Sequence, residues 1–101
     1  MMTTTQQRDL HGLRALVTGA TSGLGRAIAF QLARDGAHVI VHGRDAARGA
    51  QTVDEIQSHG GSAHYVGTDL GDAASIAGFA KEVGDIDILV NNAGFSVWGP
   101  T

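Results

Sequence analysis

Short apolar runs alternate along this chain with stretches in which apolar residues recur every three or four positions. Ala15-Leu16-Val17 is the first run and ends at Thr18-Gly19, which predicts a buried strand. Leu24, Ala27, Ile28 and Leu32 follow at helical spacing, and Asp35-Gly36 supplies a stop. Ala37 to Val41 is a second strand, interrupted by His38. Asp45 stands where it caps a helix over 46–58, with Ala50, Val53 and Ile56 facing inward and Gly60-Gly61 ending it. A third strand is expected over 63–67. Asp72 then caps a third helix whose stripe is Ile76, Phe79, Ala80 and Val83, broken at Gly84-Asp85. Ile86, Ile88, Leu89 and Val90 make a fourth strand that runs into Asn91-Asn92-Ala93-Gly94. Phe95 to Thr101 is too short to assign.

The order is therefore β-α-β-α-β-α-β. Strands separated by helices pair in parallel through right-handed crossovers. The runs around Val17, Val41 and Val90 suit strands covered on both faces. The expected class is α/β, one half of a doubly wound parallel sheet with strand order 3-2-1-4. Ligands of such sheets bind beyond the carboxyl ends of the strands, where the order reverses. Here those ends are Thr18-Gly19 and residues 91–94.

Composition narrows the chemistry. A chain of 101 residues permits one small domain. Residues 1–9 read as a polar, frayed leader without the apolar core of a signal peptide, and 10–101 as the domain. The net charge of −3 argues against a nucleic-acid or anionic-membrane surface. No apolar run approaches the ~20 residues of a membrane span, so a cytoplasmic location is expected. Cysteine is absent, which removes disulfides, thiolate metal sites and cysteine nucleophiles. His38 and His42 lie roughly 13 Å apart along a strand and cannot share an ion. His11, His59 and His64 have no ligand-spaced partner along the chain, so no metal is expected.

Glycine is the outlier, at 15 residues. Thr18-Gly19-Ala20-Thr21-Ser22-Gly23-Leu24-Gly25 joins the first strand to the first helix. Gly19 permits a tight exit, Gly23 leaves room for a pyrophosphate, and Gly25 lets the helix pack closely. Backbone N–H groups and the positive end of the helix then face the phosphates, with hydroxyls of Thr21 and Ser22 to help. A Walker loop needs Gly-Lys where this chain has no lysine, and a nucleophile elbow needs a spacing that Ser22 does not satisfy.

The Gly-x3-Gly-x-Gly spacing, Asp69-Leu70 after the third strand, and Asn91-Asn92-Ala93-Gly94 after the fourth closely resemble the short-chain dehydrogenase/reductase family. The spacing points to its compact, single-domain branch, and the likeness runs from about Leu10 to Gly94. The resemblance implies a Rossmann-like fold and an NAD(P)-dependent oxidoreductase interconverting a ketone or aldehyde and an alcohol. It also implies that Asp69 accepts from the adenine amino group and that the Leu70 N–H reaches a ring nitrogen. Asn91, Ala93 and Gly94 would line the adenosine ribose side, the asparagines bracing the sheet as well. Family members are commonly dimers or tetramers.

The exit of the second strand bears on the nucleotide. An NAD-type site places a carboxylate there. This chain has Gly43 at that place, followed by Arg44, whose guanidinium suits a 2′-phosphate. NADP is therefore expected, with NAD as the alternative because Asp45 follows. The family draws its proton from a Tyr-x3-Lys pair. Tyr65 and Lys81 are the only tyrosine and lysine, and they do not have that spacing. No catalytic residue is assigned. The chain thus resembles the N-terminal cofactor half of such an enzyme, a truncated fragment with an exposed fourth-strand edge that invites self-association. A non-catalytic dinucleotide-binding module and a non-functional remnant are the alternatives.

Overall fold

A computed structural model describes residues 9–21, 23–67, 78 and 80–92. The elements are β1 (Arg14–Thr18), α1 (Gly23–Arg34), β2 (His38–His42), α2 (Ala46–Ser58), β3 (Ser62–Val66) and β4 (Ile88–Asn91). Residues 80–83 are also helical. The four strands form one parallel sheet in the order β3-β2-β1-β4, as the alternation of runs and stripes predicts. The third helix's proposed cap, Asp72, and its stripe residues Ile76 and Phe79 lie outside the described residues.

Each face of the sheet carries its own apolar layer. Val17, Val39, Val41 and Ala63 pack with Ala29, Ala33 and Ile56 of α1 and α2. Leu16, Ile40 and Val66 pack on the opposite face with Val83 and Ile86. β1 and β2 are buried on both faces from Ala15 and Val39 onward. β4 departs from the expectation of full cover: its residues alternate between half-buried and exposed, and Leu89 is 59% exposed.

Ile56 is buried and Ile28, Leu32 and Val53 pack against the core as hydrophobicity predicts, but the most buried positions are otherwise small residues. In α1 the buried positions are Gly25, Ala29 and Ala33, whereas Leu24 is 68% exposed. In α2 they are Gly49, Thr52 and Ile56, and Ala50 is exposed. Both helices lie close to the sheet at their amino-terminal turns, where Gly25 and Gly49 make the contact, and α2 buries the larger Ile56 only toward its carboxyl end. A Cβ on Gly49 would come within 2.2 Å of the Tyr65 ring. Thr52 is tolerated at zero exposure because its hydroxyl donates to the Arg48 carbonyl at 3.0 Å. Val83 is buried as expected, but Ala80 is exposed.

Two side chains fix how the elements end. Asp45 caps α2, accepting from the Arg48 N–H at 3.1 Å. Arg14, at the start of β1, donates to the carbonyls of Val83 at 2.6 Å and Asp85 at 2.9 Å. It thereby satisfies the end of the helix that leads into β4.

Candidate functional site

The carboxyl ends of β1, β2 and β4 come together at one rim of the sheet. Gly19 and Gly23 bracket the turn leaving β1, with φ of 65° and 61°. Side chains with a Cβ are disfavoured in that left-handed region, so the turn's path requires glycine at both places. Gly25 is needed for a different reason. A Cβ there would lie 2.1 Å from the Gly19 carbonyl oxygen and 2.7 Å from the Asn92 side-chain nitrogen. The first turn of α1 therefore closes directly onto the exit of β1. That turn carries no acidic residue, so nothing opposes the positive end of the helix.

The end of β4 is clamped to this turn. The Asn92 side chain donates to the Gly19 carbonyl at 3.2 Å, and its backbone N–H donates to the Thr18 hydroxyl at 2.9 Å. The Thr18 hydroxyl in turn lies 3.2 Å from the Asn91 side-chain oxygen. Thr18 and Asn92 lie in the two strand ends that the sequence marks for ligand binding, and the hydrogen bond between them depends on the pairing of β1 with β4. Asn91 is exposed at the last position of β4.

The end of β2 approaches from the other side. The Ala20 N–H donates to the His42 carbonyl at 2.9 Å. Gly43 is buried against Thr21, and a Cβ on Gly43 would come within 2.3 Å of the Thr21 methyl. Arg44 is exposed immediately beyond. The rim thus brings together Gly19, Thr21, Gly23, Leu24, Gly25, Arg44 and Asn91. The exposure of Leu24 suits a rim position and excludes the inward one. Ser22, Asp69, Leu70, Ala93 and Gly94 lie outside the described residues.

Tyr65 has a structural place. Its ring lies under Gly49 of α2, and its hydroxyl donates to the Gly43 carbonyl. Burial, with a smaller contribution from the Asp45 charge, raises its pKa above 10.0. A proton donor for carbonyl chemistry needs the opposite shift, so Tyr65 anchors the exit of β2 instead. Its raised native pKa favours folding below the unfolded value of 10.0, and that contribution is lost as pH rises through the native value. Urea denaturation across pH 9 to 12 is expected to show a stability decline above about 10 that Tyr65→Phe reduces. An identical decline in the variant would assign it to other groups.

Among the described residues, no helix is long and apolar enough to cross a membrane. The family model described as short chain dehydrogenase matches residues 14–101. Polyprenol dehydrogenase of Mus musculus is 46% identical over 89 residues, covering 82% of this chain and 27% of its own length. The 3beta-hydroxysteroid dehydrogenase of Mediterraneibacter gnavus is 40% identical over 83 residues, with 78% and 30% covered. A metagenomic short-chain oxidoreductase solved in complex with NADP superposes with a TM-score of 0.79 at 42% identity. It is matched over 83% of this chain and 40% of that one. The chain spans about a third of the length of the relatives it matches.

Proposed function

Because the chain belongs to the short chain dehydrogenase family, we propose that the rim around residues 18–25 seats the diphosphate of a nicotinamide dinucleotide, NADP in preference to NAD. The observation that carries this reading is the turn itself. Two left-handed glycines and a closely seated Gly25 deliver the start of α1 to the carboxyl edge of the sheet. Backbone N–H groups at a helix start suit phosphate oxygens, and Thr21 and Ser22 add hydroxyl donors. Gly19, Gly23 and Leu24 shape the approach to the diphosphate. Asp69 and Leu70 recognise the adenine, and Asn91, Ala93 and Gly94 line its ribose.

Four observations support NADP. Arg44 is exposed beside the rim and makes no ion pair among the described residues. Gly43 offers no carboxylate, and the Thr21 methyl fills the space where one would begin. Asp45 is engaged as the cap of α2. A solved relative was crystallised with NADP. When bound, the nicotinamide supplies hydride chemistry, and the parent activity is interconversion of a ketone or aldehyde with an alcohol. Within this chain, Tyr65 and Lys81 do not form the proton-donating pair, so its contribution is to bind and orient the cofactor.

Cofactor titration tests the nucleotide assignment. Arg44→Ala is expected to weaken NADPH roughly 10- to 100-fold, the loss of one or two charge-assisted hydrogen bonds, with NADH little changed. Equal effects on both nucleotides would remove Arg44 from the 2′-phosphate site.

A further inference from the structure

The sheet pairing gives His64 a partner that its sequence neighbours do not. In the β2–β3 register, His38 lies opposite Ser62, which sets His64 two positions along β3 on the same face. The imidazoles are stacked with centroids 4.9 Å apart and planes inclined by 28°. Nε2 of His38 lies 2.7 Å from Nδ1 of His64. The pair sits on the sheet face opposite α1 and α2, at the β3 end of the sheet and near the amino ends of the strands. It is thus away from the dinucleotide rim.

We propose that His38 and His64 form a two-imidazole binding site for a borderline divalent transition-metal ion, with zinc or nickel as its type. Metal–nitrogen bonds of about 2.0–2.1 Å in tetrahedral geometry set the two nitrogens about 3.4 Å apart. The present contact is an N–H···N hydrogen bond with the two nitrogens facing each other, so admitting an ion opens it by about 0.7 Å, turns both rings until their lone pairs converge, and moves the His64 proton from Nδ1 to Nε2. Ser62 prepares one ligand. Its hydroxyl lies 2.5 Å from Nδ1 of His38. With the ring proton on Nδ1, donated to Ser62, the lone pair is left on Nε2, the nitrogen that faces His64.

The surroundings also set the selectivity. Among the described residues no group of three or more histidines, cysteines or carboxylates gathers into a metal site, so water completes the coordination. The Arg14 charge works against any cation here. Directional bonds to imidazole must outweigh it, which zinc, nickel and copper supply and the hard, oxygen-seeking magnesium does not.

Calorimetric titration of the full chain with zinc chloride tests the site, with magnesium chloride as the control. One zinc per chain is expected, with no magnesium heat. His64→Gln should weaken zinc at least tenfold, Ser62→Ala by about tenfold, and His59→Gln not at all. Circular dichroism checks that each variant folds. Independently of any variant, substoichiometric copper(II) should broaden the ring-proton resonances of His38 and His64 before those of His11 and His59. Wild-type zinc affinity in folded His64→Gln, or broadening that begins at His11 or His59, would overturn the proposal.

Discussion

Gly25→Ala is expected to remove nucleotide binding and to destabilise the fold. The added Cβ would sit 2.1 Å from the Gly19 carbonyl oxygen and 2.9 Å from its carbonyl carbon. These are backbone atoms of the turn itself, held by β1 on one side and by the Asn92 amide on the other. They cannot yield as the tip of a long side chain would. Either α1 moves away from the strand exit or the turn changes course, and both displace the N–H groups proposed to meet the diphosphate. Overpacking of this kind costs about 1–3 kcal/mol. Loss of the aligned donors should weaken NADPH at least ~100-fold, or about 2.7 kcal/mol. Urea denaturation and fluorescence titration measure the two effects. Ala27→Ser, on the exposed side of the same helix, is the control and should change neither by much. A folded Gly25→Ala chain with unaltered NADPH affinity would show that the close seating of α1 is unrelated to binding.

The second large effect concerns which nucleotide is preferred. Installing a carboxylate with Gly43→Asp is the obvious route to NAD, but the position is filled. A Cβ at residue 43 would lie 2.3 Å from the Thr21 methyl, 3.1 Å from its hydroxyl oxygen and 3.3 Å from its Cβ. Thr21 is β-branched and stiff at χ1, so the methyl does not swing aside freely. Gly43→Asp alone is therefore expected to weaken NADPH without a matching gain for NADH. Thr21→Ser removes the methyl and keeps the hydroxyl, leaving contacts that a shift of a few tenths of an ångström relieves. The double variant should shift the NADH/NADPH affinity ratio toward NADH by about 10- to 100-fold, as expected for charge-assisted hydrogen bonds to the ribose. Parallel titrations of wild type, both single variants and the double variant separate these outcomes. A full switch in Gly43→Asp alone would mean that Thr21 does not restrict the site.

Much of this architecture was legible because its determinants are local. The strand order follows from short apolar runs separated by helices, and α2 spans residues 46–58 with Asp45 as its cap, as its sequence implies. The glycine turn was legible too, since its spacing reflects the path of one short segment.

What escaped depends on contacts between segments. Ile28, Leu32, Val53 and Ile56 face inward as their spacing implies, but Leu24 and Ala50 do not, because the closest approach to the sheet selects for small size at Gly25, Ala29 and Gly49. The clamp between Asn92 and Gly19 joins residues 73 positions apart. The steric coupling of Thr21 to Gly43 needs the lateral packing of β2 against the turn, which no spacing encodes. The spacing denies Tyr65 a Tyr-x3-Lys role but gives it no other, and only the packing shows that its hydroxyl holds the Gly43 carbonyl. His38 and His64 meet because of strand register, whereas spacing along the chain compares His38 only with His42 and gives His64 no partner.

The central claim is that the turn between β1 and α1 seats a dinucleotide diphosphate. Amide chemical shifts of the isotope-labelled chain, followed to saturation with NADPH, test it most directly. The backbone resonances of residues 19–25 should move together with a single dissociation constant, with Arg44 moving alongside them. Saturating NADPH that leaves the amides of residues 19–25 in place would contradict the claim.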